Sequence, residues 1–300
     1  MDFIILAEDL AFPEGPIVMP DGSIIVVEIA RGQVTRLWGE DKREIIAKPG
    51  GGPNGAAIGP DGALWICNNG GLSFHERDGL LIPGHCPEDY SGGRLERIDL
   101  ATGRVERVLD SVDGHPLKGP NDLVFDKAGN LYFTDHGKSY PRHRDYGGLF
   151  MLPAGATEAK TLSHTHVSPN GVGLSPDEKT VYMADTLTAR VWAFDLASPG
   201  DITPADQFSK PRHLATLPGS QYLDSLAVTE AGNVCVATLL NGGITIVTPE
   251  GFYSHWRLPD PFVTNICFGG EDMRQAFMTL SGTGRLAQST WREPGLKLAF

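Results

Sequence analysis

The chain has 300 residues, of which 41% are hydrophobic and 21% charged, enough to bury a large core and too apolar for a disordered protein. Its formal net charge of −12 opposes phosphate backbones, so nucleic acid is not an expected partner. No run reaches the roughly 18 apolar residues of a membrane span, and the N-terminal MDFIILAEDLAFPEG lacks the basic region of a secretory signal, so a soluble, cytoplasmic protein is expected.

Glycine (37) and proline (22) are abundant, as many short strands joined by turns require. The four cysteines form no C-x-x-C pair, so neither a zinc ribbon nor a redox pair is indicated. Cys67, Cys235 and Cys267 lie in apolar runs and read as small core residues.

Along the chain one pattern recurs: a polar residue, a short apolar strand, a turn, and a second apolar strand. The copies are EGPIVMPDGSIIVVE from Glu14, NGAAIGPDGALWICN from Asn54, NDLVFDKAGNLYFTD from Asn121, NGVGLSPDEKTVYMAD from Asn170, DSLAVTEAGNVCVAT from Asp224 and a weaker NICFGGEDMRQAFMT from Asn265. Seven residues after each leading residue the turn begins, at Asp21, Asp61, Ala128, Asp177, Ala231 and Asp272, and in four copies the next residue is glycine. Asp-Gly between β-formers is a strong hairpin signal. Further strands follow: a hairpin over 92–109, then RVWAFD (190–195) and GITIVTPEG (243–251). The leading residues are 40, 67, 49, 54 and 41 positions apart. A spacing of about 40 residues is one four-stranded propeller blade, the longer gaps being blades with insertions. The expectation is one all-β domain, a six-bladed β-propeller with blades near 12–50, 51–116, 117–166, 167–219, 220–260 and 261–300. A β-sandwich would not explain six copies with one offset. Either residues 1–10 or the C-terminal LKLAF would close the ring.

In a propeller the first strand of each blade lines the channel, so Glu14, Asn54, Asn121, Asn170, Asp224 and Asn265 should converge at one height on the axis. A buried ring of carboxylates and carboxamides needs partners for its oxygens. A hard divalent cation supplies them, Ca²⁺ first, with Mg²⁺, Mn²⁺ or Zn²⁺ as alternatives. The second strands return to the same face, ending at Glu28, Asn68, Asp135, Asp185 and Thr238. Two long loops, 69–92 and 136–147, leave from there. Their Phe74, His75, Tyr90, His136, Tyr140, Arg142 and Tyr146 are expected to line a pocket.

With FPEGP (12–16), GPNDLVFDKAGNLYFTD (119–135), SPNGVGLSPDEKTVYMADT (168–186), LDSLAVTEAGNVCVAT (223–238) and FGGEDMRQAFMT (268–279) in order, the sequence resembles the SMP-30/gluconolactonase/luciferin-regenerating-enzyme family. The resemblance implies a six-bladed propeller and a metal held by Glu14, Asn121, Asn170 and Asp224. It departs from the common family wording at FTDHGKS, where F-T-D-P-P-Y-G is usual, and at Leu-Asp-Ser in the fifth blade. It implies a metal-dependent hydrolase acting on a small lactone; Asp224 is taken as the general base, with direct nucleophilic attack by it as the alternative. Asn54, Asp122, His136, Tyr140 and Asn265 are assigned to substrate contact, and Asp135 and Asp185 to support behind the ligands. A phosphotriesterase and a non-catalytic calcium-binding scaffold are the alternatives.

Overall fold

A computed structural model describes residues 2–39 and 42–300. Met1, Glu40 and Asp41, within the segments assigned to blades 6 and 1, lie outside the described residues. The chain folds into six four-stranded antiparallel sheets in sequence order. From the channel outwards, blade 1 is Pro13–Val18, Ile24–Glu28, Gln33–Trp38 and Lys42–Ala47, and blade 2 is Pro53–Ile58, Leu64–Asn68, Arg94–Ile98 and Val105–Leu109. Blade 3 is Pro120–Phe125, Leu131–Asp135, Gly147–Leu152 and Lys160–His166. Blade 4 is Pro169–Leu174, Thr180–Asp185, Arg190–Ser198 and Arg212–Thr216, with Asp201–Ile202 added on its third strand. Blade 5 is Tyr222–Val228, Val234–Leu239, Gly243–Val247 and Tyr253–Arg257.

Blade 6 takes three strands from the C-terminal region, Val263–Gly269, Gln275–Leu280 and Arg285–Thr290, and its outermost from the N-terminus, Phe3–Ala7. Phe3 pairs with Ser289 and Ile5 with Ala287, so the N-terminal strand closes the ring and residues 296–300 form no strand. Phe3 and Ile5 pack onto a core that includes Ile266, Met278 and Trp291. The cores lie mostly between adjacent blades. One joins Trp65, Cys67 and Leu95 of blade 2 to Leu123, Phe125 and Phe133 of blade 3, and another joins Ala184 and Val191 of blade 4 to Leu226 and Val234 of blade 5.

The hairpin turns need a left-handed residue at one place in every copy. Gly22, Gly62, Gly129 and Gly232 occupy it with φ of 81°, 72°, 84° and 85°, and Glu178 and Met273 adopt 57° and 56° there without glycine's freedom. The repeat survives the two substitutions because flanking apolar strands still pair and bury.

The inner strands of the first four blades each open on proline: Pro13, Pro53, Pro120 and Pro169. An edge strand facing a channel has no ladder partner on that side, so a missing N–H is tolerated. Each inner strand then loses regular register at or beside its leading residue, between Glu14 and Ile17, Pro53 and Ala56, Pro120 and Leu123, Pro169 and Val172, Leu223 and Leu226, and Val263 and Asn265. Such irregularities bend a strand and re-aim its side chains, and here each falls at or beside a ring residue.

Candidate metal centre at the channel ring

The ring residues are all buried, from 2% exposed for Glu14 to 9% for Asp224. Small residues behind them let neighbouring inner strands touch. A Cβ on Gly15 would stand 2.8 Å from Asn54 O, one on Gly55 2.5 Å from Asn121 O, and one on Gly171 2.7 Å from both Asp224 O and Leu226 N. Asn265 Nδ2 donates to Glu14 Oε2 at 2.7 Å, joining blade 6 to blade 1. Thr134 Oγ1 donates to Asn170 O at 2.5 Å, joining blade 3 to blade 4.

Three carboxyl groups crowd this axis. Burial holds Glu14 well above the usual carboxylate range, and the Asp224 charge raises it further against hydrogen bonds from Asn265 and Gly15. Asp224 is pushed up to about 7, first by burial, with Asn170 pulling down and the Asp122 charge adding to the rise. Asp122 is likewise pushed up to about 7 by burial. A bound cation would reverse each of these penalties.

The carboxamides present the complementary need. Asn170 Nδ2 donates to Thr186 Oγ1 at 3.0 Å, but Asn170 Oδ1 is buried without a partner, and so is Asn121 Oδ1. Orphaned buried oxygens are uncommon and call for an explanation. Among the described residues no group of three or more His, Cys, Asp or Glu is placed to hold a metal ion, so an ion at the ring would have to use amide as well as carboxylate oxygens. An all-oxygen set of Glu14, Asp224, Asn121 and Asn170 has the chemistry of a hard-cation site.

Behind the ring a staple repeats at the end of the second strand. Glu28 Oε2 accepts from Ala11 N, and Asn68 Oδ1 from Gly52 N at 2.9 Å and Gly70 N at 3.0 Å. Asp135 accepts Lys118 N and Gly119 N, both at 2.7 Å, and Gly137 N at 2.8 Å. Asp185 accepts Val167 N, Ser168 N and Ser168 Oγ. Apart from Gly70 and Gly137, which follow the second strand, the bonded amides lie two or three residues before the ring residue, so the staple fixes the approach of Glu14, Asn54, Asn121 or Asn170.

Several residues assigned to substrate contact have other engagements. Asn265 is spent on Glu14. Asp122 Oδ1 accepts Leu123 N at 2.9 Å and Oδ2 accepts Val172 N at 3.3 Å, stitching blade 3 to blade 4. Tyr140 stacks on His143, with ring centroids 4.4 Å apart, at the tip of its loop. His136 Nδ1 lies 3.4 Å from both Gly137 O and Arg144 Nη2, and burial followed by the Arg144 charge pushes it down to about 4, so its imidazole is neutral. Asn54 is buried in the ring. Of the expected lining residues, Tyr90 Oη donates to Lys118 O at 2.7 Å, while Tyr146 is exposed.

The loop over 69–92 crosses the mouth of the channel. Its hairpin, Phe74–Arg77 with Leu80–Pro83, binds blade 6 through Leu81 N to Gly282 O at 2.9 Å. Phe74 packs on Phe12 at 5.2 Å, beside blade 1, and Cys86 N donates to Ser139 O on the blade 3 loop at 2.9 Å. Lys138, only 2% exposed, ties the two loops by donating to Gly71 O at 2.5 Å and Asn69 Oδ1 at 3.3 Å, with its ammonium 5.2 Å from the Tyr90 ring. Nothing in a polar run such as HGKSYPRHRDYG marks its one lysine, rather than an arginine, as the buried cation. Clefts of about 480 Å³ and 180 Å³ lie on the outer strands of blade 4 and where blades 1 and 6 meet, and neither shares a residue with the ring.

Comparison with known proteins agrees with this architecture. The chain is 27% identical over 297 residues to a gluconolactonase of Zymomonas mobilis, covering 88% of this chain and 75% of that one. A gluconolactonase structure from Xanthomonas campestris superposes with a TM-score of 0.75 at 19% identity, over 95% of this chain and 88% of that one. Regucalcin of Agrobacterium tumefaciens, described as a calcium-binding protein, gives 0.74 at 19% identity, over 98% and 97%. At that identity the two structures bear on the fold alone. The sequence profile of the SMP-30/Gluconolactonase/LRE-like region matches residues 12–282, nearly the whole propeller, and the chain belongs to that family.

Proposed function

We propose that this protein is a divalent-cation-dependent hydrolase of small lactones, with Ca²⁺ the cation its donor set fits best. The observation that carries the reading is the ring itself: two buried carboxylates whose charges oppose each other and two carboxamide oxygens buried without partners, all carried by inner strands of the propeller. The Zymomonas mobilis relative, a gluconolactonase, supplies the substrate class.

Glu14, Asn121, Asn170 and Asp224 would hold the cation. When bound it supplies Lewis acidity toward a carbonyl oxygen and counter-charge for the oxyanion that develops there. Asp224 acts as general base, its carboxylate taking the proton from the water that attacks the lactone carbonyl. Ring opening then needs a proton on the leaving alkoxide, which Asp224 returns from the same carboxyl group. Asn265 keeps Glu14 turned toward the axis, and Thr186 keeps Asn170 Oδ1 free by engaging its amide nitrogen. Asp135 and Asp185 fix the segments leading to Asn121 and Asn170. The 69–92 loop narrows access from the side of blades 6, 1 and 2.

A panel of γ- and δ-lactones and an organophosphate triester, assayed with and without a chelator, tests this. Chelation should abolish lactone turnover, and Asp224→Asn should retain cation while losing at least about 100-fold in kcat. Full activity in either case would remove the mechanism. Preferential turnover of the triester would reassign the substrate, and no turnover of any panel member with cation present would favour a binding scaffold.

A further inference from the structure

We propose that Arg144 is a specificity-determining residue that binds an anionic substituent of the substrate, so that the preferred lactone carries a free carboxylate; this rests on the lactonase reading and sharpens it.

The chain as a whole is strongly acidic, yet the loop over 136–147 holds Lys138, Arg142 and Arg144 against a single carboxylate, Asp145. Among the described residues none of the three cations has a carboxylate within ion-pair range. Lys138 is consumed by Gly71 O and Asn69 Oδ1, deep under the loop. Arg142 is exposed at the loop tip. Arg144 stands between, half-buried. Its Nε donates to Asp145 O at 3.2 Å, Nη1 to Ser139 Oγ at 3.3 Å and Nη2 to His136 O at 2.7 Å. A guanidinium has five N–H groups, so these three bonds and the 3.4 Å contact of Nη2 with His136 Nδ1 hold the head in place and leave an Nη1 donor over. Neutral acceptors alone do not offset the desolvation of a cation. Consistent with that, burial lowers the Arg144 pKa, and the more distant charges of Asp185 and Asp145 offset it only in part.

Position makes this cation relevant to the ring. Arg144 clamps His136, the residue next to Asp135, which fixes the approach to Asn121. It also feels Asp185, which fixes the approach to Asn170. The guanidinium therefore sits on the ring's face of the molecule, beside the two blades that contribute the orphaned carboxamide oxygens. The opposite side of the mouth is apolar, built from Phe12, Phe74 and Phe262. A planar fork with a spare donor suits a carboxylate. A local cationic patch on an acidic protein also guides an anionic substrate that the rest of the surface repels.

Calorimetric titration of the Ca²⁺-loaded protein with D-glucarate and D-gluconate tests this without requiring turnover. Both offer one carboxylate to the ring, and only glucarate offers a second. Wild type should bind glucarate about tenfold or more tighter than gluconate. Arg144→Gln should bring the two within about twofold, the loss falling mainly on glucarate. Should that variant not fold, Arg144→Lys, which keeps the charge but not the fork, should lower the preference severalfold. Equal binding of the two acids by wild type, or a preference that survives Arg144→Gln, would overturn the inference. The kcat/KM for a glucarate monolactone and for a neutral gluconolactone separates it from the broader reading. Turnover of the neutral lactone without any glucarate preference sinks the Arg144 role alone. A glucarate preference without turnover of either lactone supports the anion site and sinks the lactonase reading alone.

Discussion

The close approach of inner strands makes Gly171→Ala the most informative small perturbation. The added Cβ would lie 2.7 Å from Asp224 O, 2.7 Å from Leu226 N and 2.8 Å from the carbonyl carbon of Ser225. All three are backbone atoms, so no flexible side chain can yield. Carbon contacts settle near 3.5 Å, so blades 4 and 5 must part by on the order of 0.5 Å. Overpacking of this kind costs about 1–3 kcal/mol, or roughly 2–6 °C in Tm for a chain of this size. The same movement separates Asn170 from Asp224 by more than the ~0.2 Å tolerance of a metal site. Cation affinity should therefore fall at least about tenfold. The assay is paired: thermal melting of the metal-free protein and calorimetric titration with Ca²⁺. Gly22→Ala is the control, since its φ of 81° is strained for alanine but nothing lies within 4 Å of the new methyl. It should lose about 1 kcal/mol of stability and no cation affinity. A Gly171→Ala protein that binds cation as wild type does would refute the argument that strand spacing sets the ring.

Two further outcomes follow from groups around the ring. Asp135→Asn turns an amide NH₂ toward backbone donors that a carboxylate now accepts from, and should cost about 2–3 kcal/mol in urea unfolding; an unchanged midpoint would remove its role as a staple. His136, pushed down to about 4 from the ordinary 6.5, binds its proton later in the folded than in the unfolded chain. Its contribution to stability is complete above about pH 6.5 and is lost as pH falls toward 4, by roughly 3 kcal/mol. His136→Gln should flatten the stability profile over that interval, and parallel profiles for the two proteins would contradict the assignment.

The turns, and the place of the six leading residues on the inner strands, were legible in the sequence for a local reason. Asp-Gly and its equivalents enforce a left-handed residue eight positions after each leading residue, and a hairpin so fixed carries its strands with it. Even there Glu178 and Met273 occupy the left-handed position, visible only because four glycines define it. What stayed hidden was non-local. The bond from Asn265 to Glu14 spans 251 positions and depends on ring closure. Closure itself rests on Phe3–Ala7 meeting Arg285–Thr290, and two short apolar segments at opposite termini gave no local ground for choosing between them. The register irregularities that turn the ring residues inward carry no signature residue beyond the proline before four of them. Lys138 and Arg144 share one polar loop, yet one is sealed under Tyr90 and the other held half-open, a difference set by how the 69–92 loop crosses to Ser139 and Gly282. Asp135 and Asp185 stand out in the sequence only as strand-terminal acids. Their bonds to amides of the preceding segment emerge once the strands return to a common face.

The most direct test of the account is calorimetric titration of chelator-treated protein with Ca²⁺, repeated for the double variant Asn121→Ala, Asn170→Ala. The account predicts one saturable site per chain in the wild type, accompanied by a rise in Tm, and loss of that site in the variant, as follows if the two orphaned oxygens are ligands. No saturable binding in the wild type, or undiminished binding in the variant, would contradict it.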